Sequence, residues 1–429
     1  MLTREQNELL TQTGPGTPGG QLLRAYWQPV ALSEELPAGG SPLPVRLLSE
    51  DLVLFRDQEG QPGLLGLHCA HRGADLSYGR LEDGGLRCLY HGWLYDRAGR
   101  CLDQPGEPAG SDFKDKIRHL AYPCREQGGA IFAYLGHGQP PLLPPYEFLT
   151  APEPYRWCTK FYENCNYLQG NEGNIDPQHL SFLHRNFQDP RGVSRRVPGS
   201  DSSSNELVTR DVAPTIEIEE TSFGVRIYTV RRVDGGHHYV RITNFVMPNL
   251  SAFPGITEAD GYQAQWHVPI DDTHHWKYAF NFKRSGPIDR EWMSTAVLQG
   301  VEKPYHLARN AANRYLQDRG EMESISFTGM GAFDFQSQDR YATESQGPIQ
   351  DRVAERLGTT DKAIIAARQQ LLAAIRDVQE GRDPRHVLRE GQSAHLDREL
   401  VVKSEAVPSS VDWKTFWREP QARLEPAGR

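Results

Sequence analysis

Two short motifs, Cys69-x-His71 and Cys88-x-x-His91, separated by sixteen residues, constrain this chain more than any other feature. They lie in HCAHRGADLSYGRLEDGGLRCLYHGW (68–93), within a chain of 429 residues that has only 6 cysteines and 15 histidines. Thiolate and imidazole donors together leave two candidates, tetrahedral zinc and an iron–sulfur cluster. Cys-x-His is an uncommon close pair for structural zinc. A two-iron cluster with one iron on two thiolates and the other on two imidazoles needs one ligand of each type from each pair. Two hairpin tips, each with one Cys and one His, supply that. Gly73 and Gly92 follow the histidines and let the tips turn sharply. Trp93 and Tyr95 stand where they can shield the group.

Such a ligand set is that of a Rieske [2Fe–2S] centre, whose neutral imidazoles raise the reduction potential above that of an all-thiolate cluster. Cys69, His71, Cys88 and His91 are therefore expected to hold a one-electron redox cluster. An electron carrier would need only a domain of about 150 residues. The greater part of the chain needs another explanation.

The segment NEGNIDPQHLSFLHRNF (171–187) offers one. Asp176-Pro177 reads as a helix start, with Asp as N-cap and Pro at the first helical position. His179 then falls in the first turn and His184 about a turn and a half later, near enough to share one metal. Two imidazoles and a carboxylate form the facial triad of mononuclear non-haem Fe(II), which leaves positions open for O2 and substrate. The carboxylate must come from a distant segment. Asp339, in FQSQDRYATESQGPI (335–349), is the foremost candidate, and Asp334, Glu344 and Asp351 compete with it.

Composition sets the outer limits. The chain is 38% hydrophobic and 24% charged with a net charge of −9, enough for a sizeable core and the wrong balance for a nucleic-acid binder. No run of eighteen apolar residues occurs, and the polar start MLTREQNELLTQTG lacks the apolar core of an export signal. With so few cysteines, a cytoplasmic location without a disulfide framework is expected.

After a helix at 4–11, the strands 45–48, 52–56, 63–68 and 130–135 make the first third β. A connector with six prolines follows at 136–157, placing a domain boundary near residue 150. Beyond it come a helical stretch (165–187) and strands at 215–221, 225–233, 239–247, 262–270 and 276–284. Turns are expected at Ser222-Phe223-Gly224 and Asp234-Gly235-Gly236, helices at 289–318 and 360–380, and an exposed loop at 197–208. The fold class is α+β, with an all-β domain over 1–150 and an antiparallel sheet carrying helices over 151–429.

With these motifs in hand, the chain resembles the α subunit of Rieske non-haem iron ring-hydroxylating oxygenases. The resemblance rests on CxH…CxxH followed by E-x3-D-x2-H-x4-H (Glu172, Asp176, His179, His184). The opening TREQNELLTQTGPGTPGGQLLRAYWQPVAL and the late SQDRYATESQGPIQDR resemble the phthalate dioxygenase-type branch, and the likeness covers essentially the whole chain. It implies a Rieske domain, then a helix-grip (START-like) catalytic domain, in a homotrimer or stacked-trimer hexamer of α subunits. By motif position His179 and His184 match the iron ligands, and Asp339 the third through its QD-x3-TES context. Asp176 matches an acid that bridges a cluster histidine of one subunit and an iron histidine of its neighbour. Glu172 matches a further acidic position.

The expected reaction takes electrons from a separate flavin and [2Fe–2S] reductase, or a ferredoxin plus reductase, fed by NAD(P)H. No GxGxxG stands in a strand-to-helix context that would bind the nicotinamide here. The reaction is dihydroxylation of an aromatic, carboxylated substrate, with oxidative O-demethylation or ether cleavage as the alternative and a plain Rieske electron carrier as the non-enzyme reading. An anionic substrate wants an inward strand arginine. Arg241 is the first choice, while Arg226 and Arg231 read as solvated. Phe245, Trp266 and Phe280 are expected in the core or the cavity wall. The pairs His237-His238 and His274-His275 read as surface residues, and Cys101, Cys124, Cys158 and Cys165 as buried thiols.

Overall fold

Short runs of leucine, valine and aromatic residues between Gly, Pro and Asp turns favour brief antiparallel strands, and the first third is built of them. The structure, a computed structural model, describes residues 1–189, 194, 196–233, 235–255, 260–298, 300–391 and 400–418. Thr3 caps the first helix, Arg4–Thr11, through a capping box with Gln6. Strands Trp27–Leu32, Ala130–Tyr134 and Cys124–Gln127 form one small sheet. Leu43–Leu47, Glu50–Arg56, Pro62–Gly66 and Ala121–Tyr122 form a second. Arg80–Glu82, Gly85–Arg87, Leu94–Tyr95 and Cys101–Asp103 form a third, which carries one of the two Cys/His tips at its end.

The large sheet is antiparallel. Its order is Arg156–Glu163, His275–Lys283, Gly261–Pro269, Leu250–Phe253, His237–Val246, Gly224–Val233, Thr215–Glu220, with Lys403–Pro408 also pairing along His237–Val246. In Gly261–Pro269 the alternation is plain. Tyr262, Ala264, Trp266 and Val268 join the main apolar cluster, which also holds Phe132, Tyr146 and the leucine and alanine face of the helix Lys362–Gln379. Gln263, Gln265 and His267 point the other way and are buried as well. That second, polar face lies under the helix Tyr167–Ile175, which in turn packs against Phe335–Glu344. The functional chemistry gathers there.

Several expectations need correction. The helix expected over 165–187 stops at Ile175, and Asp176 is its C-cap rather than the N-cap of a new helix, with φ −81° and ψ 113°. Pro177 is the cause, because its ring crowds a helical conformation at the preceding residue. One 3₁₀ turn, His179–Ser181, follows. The 289–318 stretch divides into Arg290–Val297, a hairpin of Val301–Lys303 with His306–Leu307, and a kinked turn Ala311–Leu316. Gly300, at φ 73°, and Pro304 break the helix between them.

The loop expected at 197–208 instead contains the start of a helix, Ser204–Arg210, with Leu207 and Val208 buried and a capping box formed by Ser203 and Glu206. The turn at 222–224 is present, Thr221 N–H donating to Gly224 O at 2.9 Å. In the turn expected at 234–236, Asp234 lies outside the described residues, and Gly235 and Gly236 have φ of 77° and 73°. Strands Arg156–Glu163, Leu250–Phe253 and Lys403–Pro408 add to those the sequence pattern predicts in this sheet. No helix among the described residues is long and apolar enough to cross a membrane.

Candidate metal centres and substrate cavity

Each Cys/His tip closes through its own backbone. Cys69 N–H donates to Ala74 O (2.8 Å), and Gly73 N–H returns to Cys69 O (2.8 Å). At the other tip Cys88 N–H donates to Trp93 O (2.8 Å), and Gly92 N–H to Cys88 O (3.1 Å). Gly73 and Gly92 take φ of 73° and 75°, the left-handed region where a side chain is strained. The tips bring Cys69 and Cys88 together in buried positions and leave His71 and His91 exposed, their ring centroids 4.5 Å apart. His71 stacks on Trp93 at 4.5 Å, and the Tyr95 hydroxyl lies 3.2 Å from Cys69 Sγ. Burial, with the Cys69 thiol adding to it, pushes the Cys88 thiol up. Two free thiols inside and two imidazoles outside fit the mixed donor set of a Rieske cluster.

The second centre gathers His179 from the 3₁₀ turn, His184 from the loop after it, and Asp339 from the helix Phe335–Glu344. One donor atom from each lies within 4.8 Å of the others. Asp339 Oδ1 is 2.9 Å from His184 Nε2 and 4.0 Å from His179 Nε2. His184 Nδ1 lies 2.7 Å from Gln338 Oε1, an oxygen that only accepts, so the proton sits on Nδ1 and Nε2 is left to bind a metal. Burial opposes ionisation of Asp339, yet when His184 and His179 are protonated their charge holds its carboxyl down to about 2. Two imidazoles and one ionised carboxylate fit a facial Fe(II) site.

The competing carboxylates are engaged elsewhere. Asp334 caps the helix and pairs with Arg309 at 3.3 Å. Glu344 accepts from Asn164 N–H (2.8 Å) and the Tyr315 hydroxyl (2.9 Å), and Asp351 accepts from Val353 N–H (3.0 Å).

Asp176 shapes this loop, its Oδ1 accepting from Gln178 N–H at 2.7 Å. Its Oδ2 stands 3.9 Å from His179 Nδ1, a buried nitrogen with no partner among the described residues. Arg231 clamps the loop from below. It is fully buried and donates to Pro177 O (3.0 Å), Ser181 Oγ (3.3 Å) and Asp211 O (3.2 Å). The solvated reading of Arg231 and Arg226 is thus wrong, since Arg226 is also buried, against Glu219 (2.9 Å) and the Trp417 ring (4.7 Å). Arg231 alternates in phase with Val225 and Ile227, a pattern that marks it as inward. Glu172 is tied to Arg352 (2.9 Å) and Arg368 (2.6 Å) and holds the helix Tyr167–Ile175 to the helix Lys362–Gln379.

A cavity of 260 Å³ opens beside His179, His184 and Asp339. Arg241 faces it, 8% exposed, donating to the Tyr239 hydroxyl (3.2 Å), Ser204 Oγ (3.4 Å) and Pro254 O (3.1 Å). Its buried Nε has no hydrogen-bond partner among the described residues. Leu180, Val208, Phe253, Val297, Phe333 and Phe335 supply apolar wall. Phe245, Trp266 and Phe280 belong to the core instead. His237, His238 and His274 are half-buried, but His275 is completely buried, which corrects its assignment to the surface. Cys101 and Cys165 are buried, and Cys124 and Cys158 partly so.

Comparison with known proteins gives concordant matches. Residues 26–120 match the Rieske [2Fe-2S] domain and residues 133–426 the LigXa C-terminal domain like family. The phthalate 4,5-dioxygenase oxygenase subunit of Pseudomonas putida is 36% identical, covering 97% of this chain and 95% of that protein. The 5,5'-dehydrodivanillate O-demethylase oxygenase subunit of a Sphingobium species is 32% identical, covering 91% of this chain and 84% of that one. Among solved structures, dicamba monooxygenase bound to dicamba superposes with a TM-score of 0.58 at 16% identity, covering 84% of this chain and all of that one.

Proposed function

The chain belongs to the Rieske aromatic ring-hydroxylating oxygenases as an α, or terminal oxygenase, subunit, and from that premise we propose that it dihydroxylates an aromatic carboxylate. The observation that carries this reading is the buried, incompletely paired Arg241 in the same cavity wall as His179, His184 and Asp339. Cys69, His71, Cys88 and His91 would hold the [2Fe–2S] cluster, and His179, His184 and Asp339 the iron. When bound, the cluster supplies electrons one at a time and the iron supplies O2 activation. The reaction takes one O2, two electrons and two protons per arene to give a cis-dihydrodiol.

The residues supply position and seclusion. Arg241 would bind the substrate carboxylate, its guanidinium already fixed by Tyr239, Ser204 and the Pro254 carbonyl, so little rotamer freedom is lost on binding. Phe253, Phe333 and Phe335 would hold the ring and exclude water. Gln338 holds the His184 ring in the tautomer that leaves Nε2 free. Asp176, one-quarter exposed beside the unpartnered His179 Nδ1, would fix that imidazole and reach a cluster histidine of the adjoining subunit in a homotrimer. Electrons would come from a separate ferredoxin or reductase. The Asp176→Asn variant should keep both metals but reoxidise its reduced cluster at least tenfold more slowly with O2 and substrate. Unchanged reoxidation would remove the bridging role.

The similarity to an O-demethylase subunit supports a second reading. In it a methoxylated aromatic acid, O2, two electrons and two protons yield the phenol, formaldehyde and water at the same site. Both readings require the triad. The Asp339→Ala variant should lose the mononuclear iron and all product while the red cluster spectrum stays. Full activity in that variant would exclude Asp339 as a ligand.

A further inference from the structure

The polar face of the large sheet carries buried groups that the chemistry above does not use. Below the metal triad lies a second cavity, of 100 Å³, lined among others by Glu163, His267, His275, Lys277 and Asn174. Glu163 is matched by Lys277 (2.9 Å) and Arg340 (3.3 Å). The two histidines form a hydrogen-bond chain whose direction can be worked out. His275 Nδ1 is 2.8 Å from the Cys165 carbonyl, which only accepts, so Nδ1 carries the proton and Nε2 is an acceptor. His267 Nδ1, 3.0 Å from that Nε2, must then donate, leaving His267 Nε2 as an acceptor in turn. Asn174 Nδ2 stands 2.7 Å from it and also reaches Ser251 Oγ (2.9 Å) and Gln265 Oε1 (2.8 Å).

That chain sets the amide's orientation. The NH2 group must face the sheet and Oδ1 must face away from it. Burial keeps both imidazoles neutral, His267 well below its usual range and His275 down to about 4 despite the Glu163 carboxylate. Asn174 lines the 260 Å³ cavity with Arg241 as well as the smaller one beneath, and its contacts to the sheet all run through Nδ2, on the side opposite Oδ1.

We propose that Asn174 is a specificity-determining residue, its Oδ1 held toward the cavity by the His275–His267 chain to accept a hydrogen bond from a hydroxyl or N–H group of the substrate. The inference rests on the reading of Arg241 as carboxylate anchor and narrows the substrate class to aromatic acids that carry a second, donating substituent. A site built to pair a donor discriminates against analogues that lack it.

The test is calorimetric binding of benzoate and the three monohydroxybenzoates to the anaerobic holoenzyme, loaded with both metals. At least one hydroxybenzoate should bind about tenfold more tightly than benzoate. Both Asn174→Ala and the size-matched Asn174→Leu should erase that preference and leave benzoate affinity within about twofold. A wild-type protein without the preference, or variants that keep it, would overturn the proposal while a loss of benzoate binding in Arg241→Met upheld the anchor. Benzoate affinity indifferent to Arg241→Met would remove the anchor, and this inference with it.

Discussion

A buried guanidinium facing a cavity with one nitrogen unpaired is costly unless something anionic completes it. Arg241 is in that position, and it was legible in the sequence because it alternates with Val240 and Ile242 on a central strand. Its neighbours were less so. Tyr239, Ser204 and Ser404 come from two strands and a helix far apart in the chain, and their hydroxyls meet only in the fold. Replacing Arg241 with Met keeps volume and removes the charge. Affinity for an aromatic acid should fall by about 2 kcal/mol, roughly thirtyfold, with uncharged aromatics unaffected, as read by titration calorimetry. His275 shows the reverse case. A histidine next to a turn reads as exposed, and only the close approach of the helix Tyr167–Ile175 buries it.

Among the elements, the long strands were readable from alternation, and their bounds fall within about two residues of expectation. The strand Arg156–Glu163 was not, because it mixes Arg156, Lys160 and Glu163 with aromatics and follows directly on a proline-rich connector. Lys160 lies in the interior only because Glu35 (2.7 Å) and the Trp276 ring (4.3 Å) receive it. The helix before the proposed iron site starts within two residues of expectation, at Tyr167, and ends earlier, at Ile175, because Pro177 acts one residue upstream of itself.

Gly170 in this helix has a tertiary reason. A Cβ there would meet His267 Nδ1 at 2.5 Å and His275 Nε2 at 2.7 Å. Ala for Gly normally steadies a helix interior by about 1 kcal/mol. Here overpacking against two buried rings should win, leaving Gly170→Ala about 1–2 kcal/mol less stable in denaturant unfolding. A stabilised variant would mean that the helix does not press on the histidine pair.

At the scale of the whole molecule, the main apolar cluster runs from Leu10 and Phe132 through Trp266 to Leu371 and Val402, so first-third and last-third residues share one core. Sequence motifs point to both candidate metal centres because ligand chemistry restricts residue type and spacing. The proposed third ligand, Asp339, 155 residues beyond His184, has no signature near the histidines and stands out among several carboxylates only by its motif context. The fold brings Asp339 beside His179 and His184, while the competing Asp334 and Glu344 are spent on Arg309 and on Asn164 with Tyr315.

A single turnover would show whether oxygen chemistry on an aromatic acid takes place at His179, His184 and Asp339. Protein reduced anaerobically would be mixed with isotopically labelled O2 and a panel of aromatic carboxylates, methoxylated and ether-linked ones included, with and without prior chelation of the mononuclear iron. The expected result is a product carrying both labelled atoms as a dihydrodiol, or formaldehyde with a phenol on the second reading, and no product after chelation although the cluster spectrum survives. Label entering product equally well in the chelated protein would contradict it, as would a reduced cluster that is reoxidised while every aromatic acid is recovered unchanged.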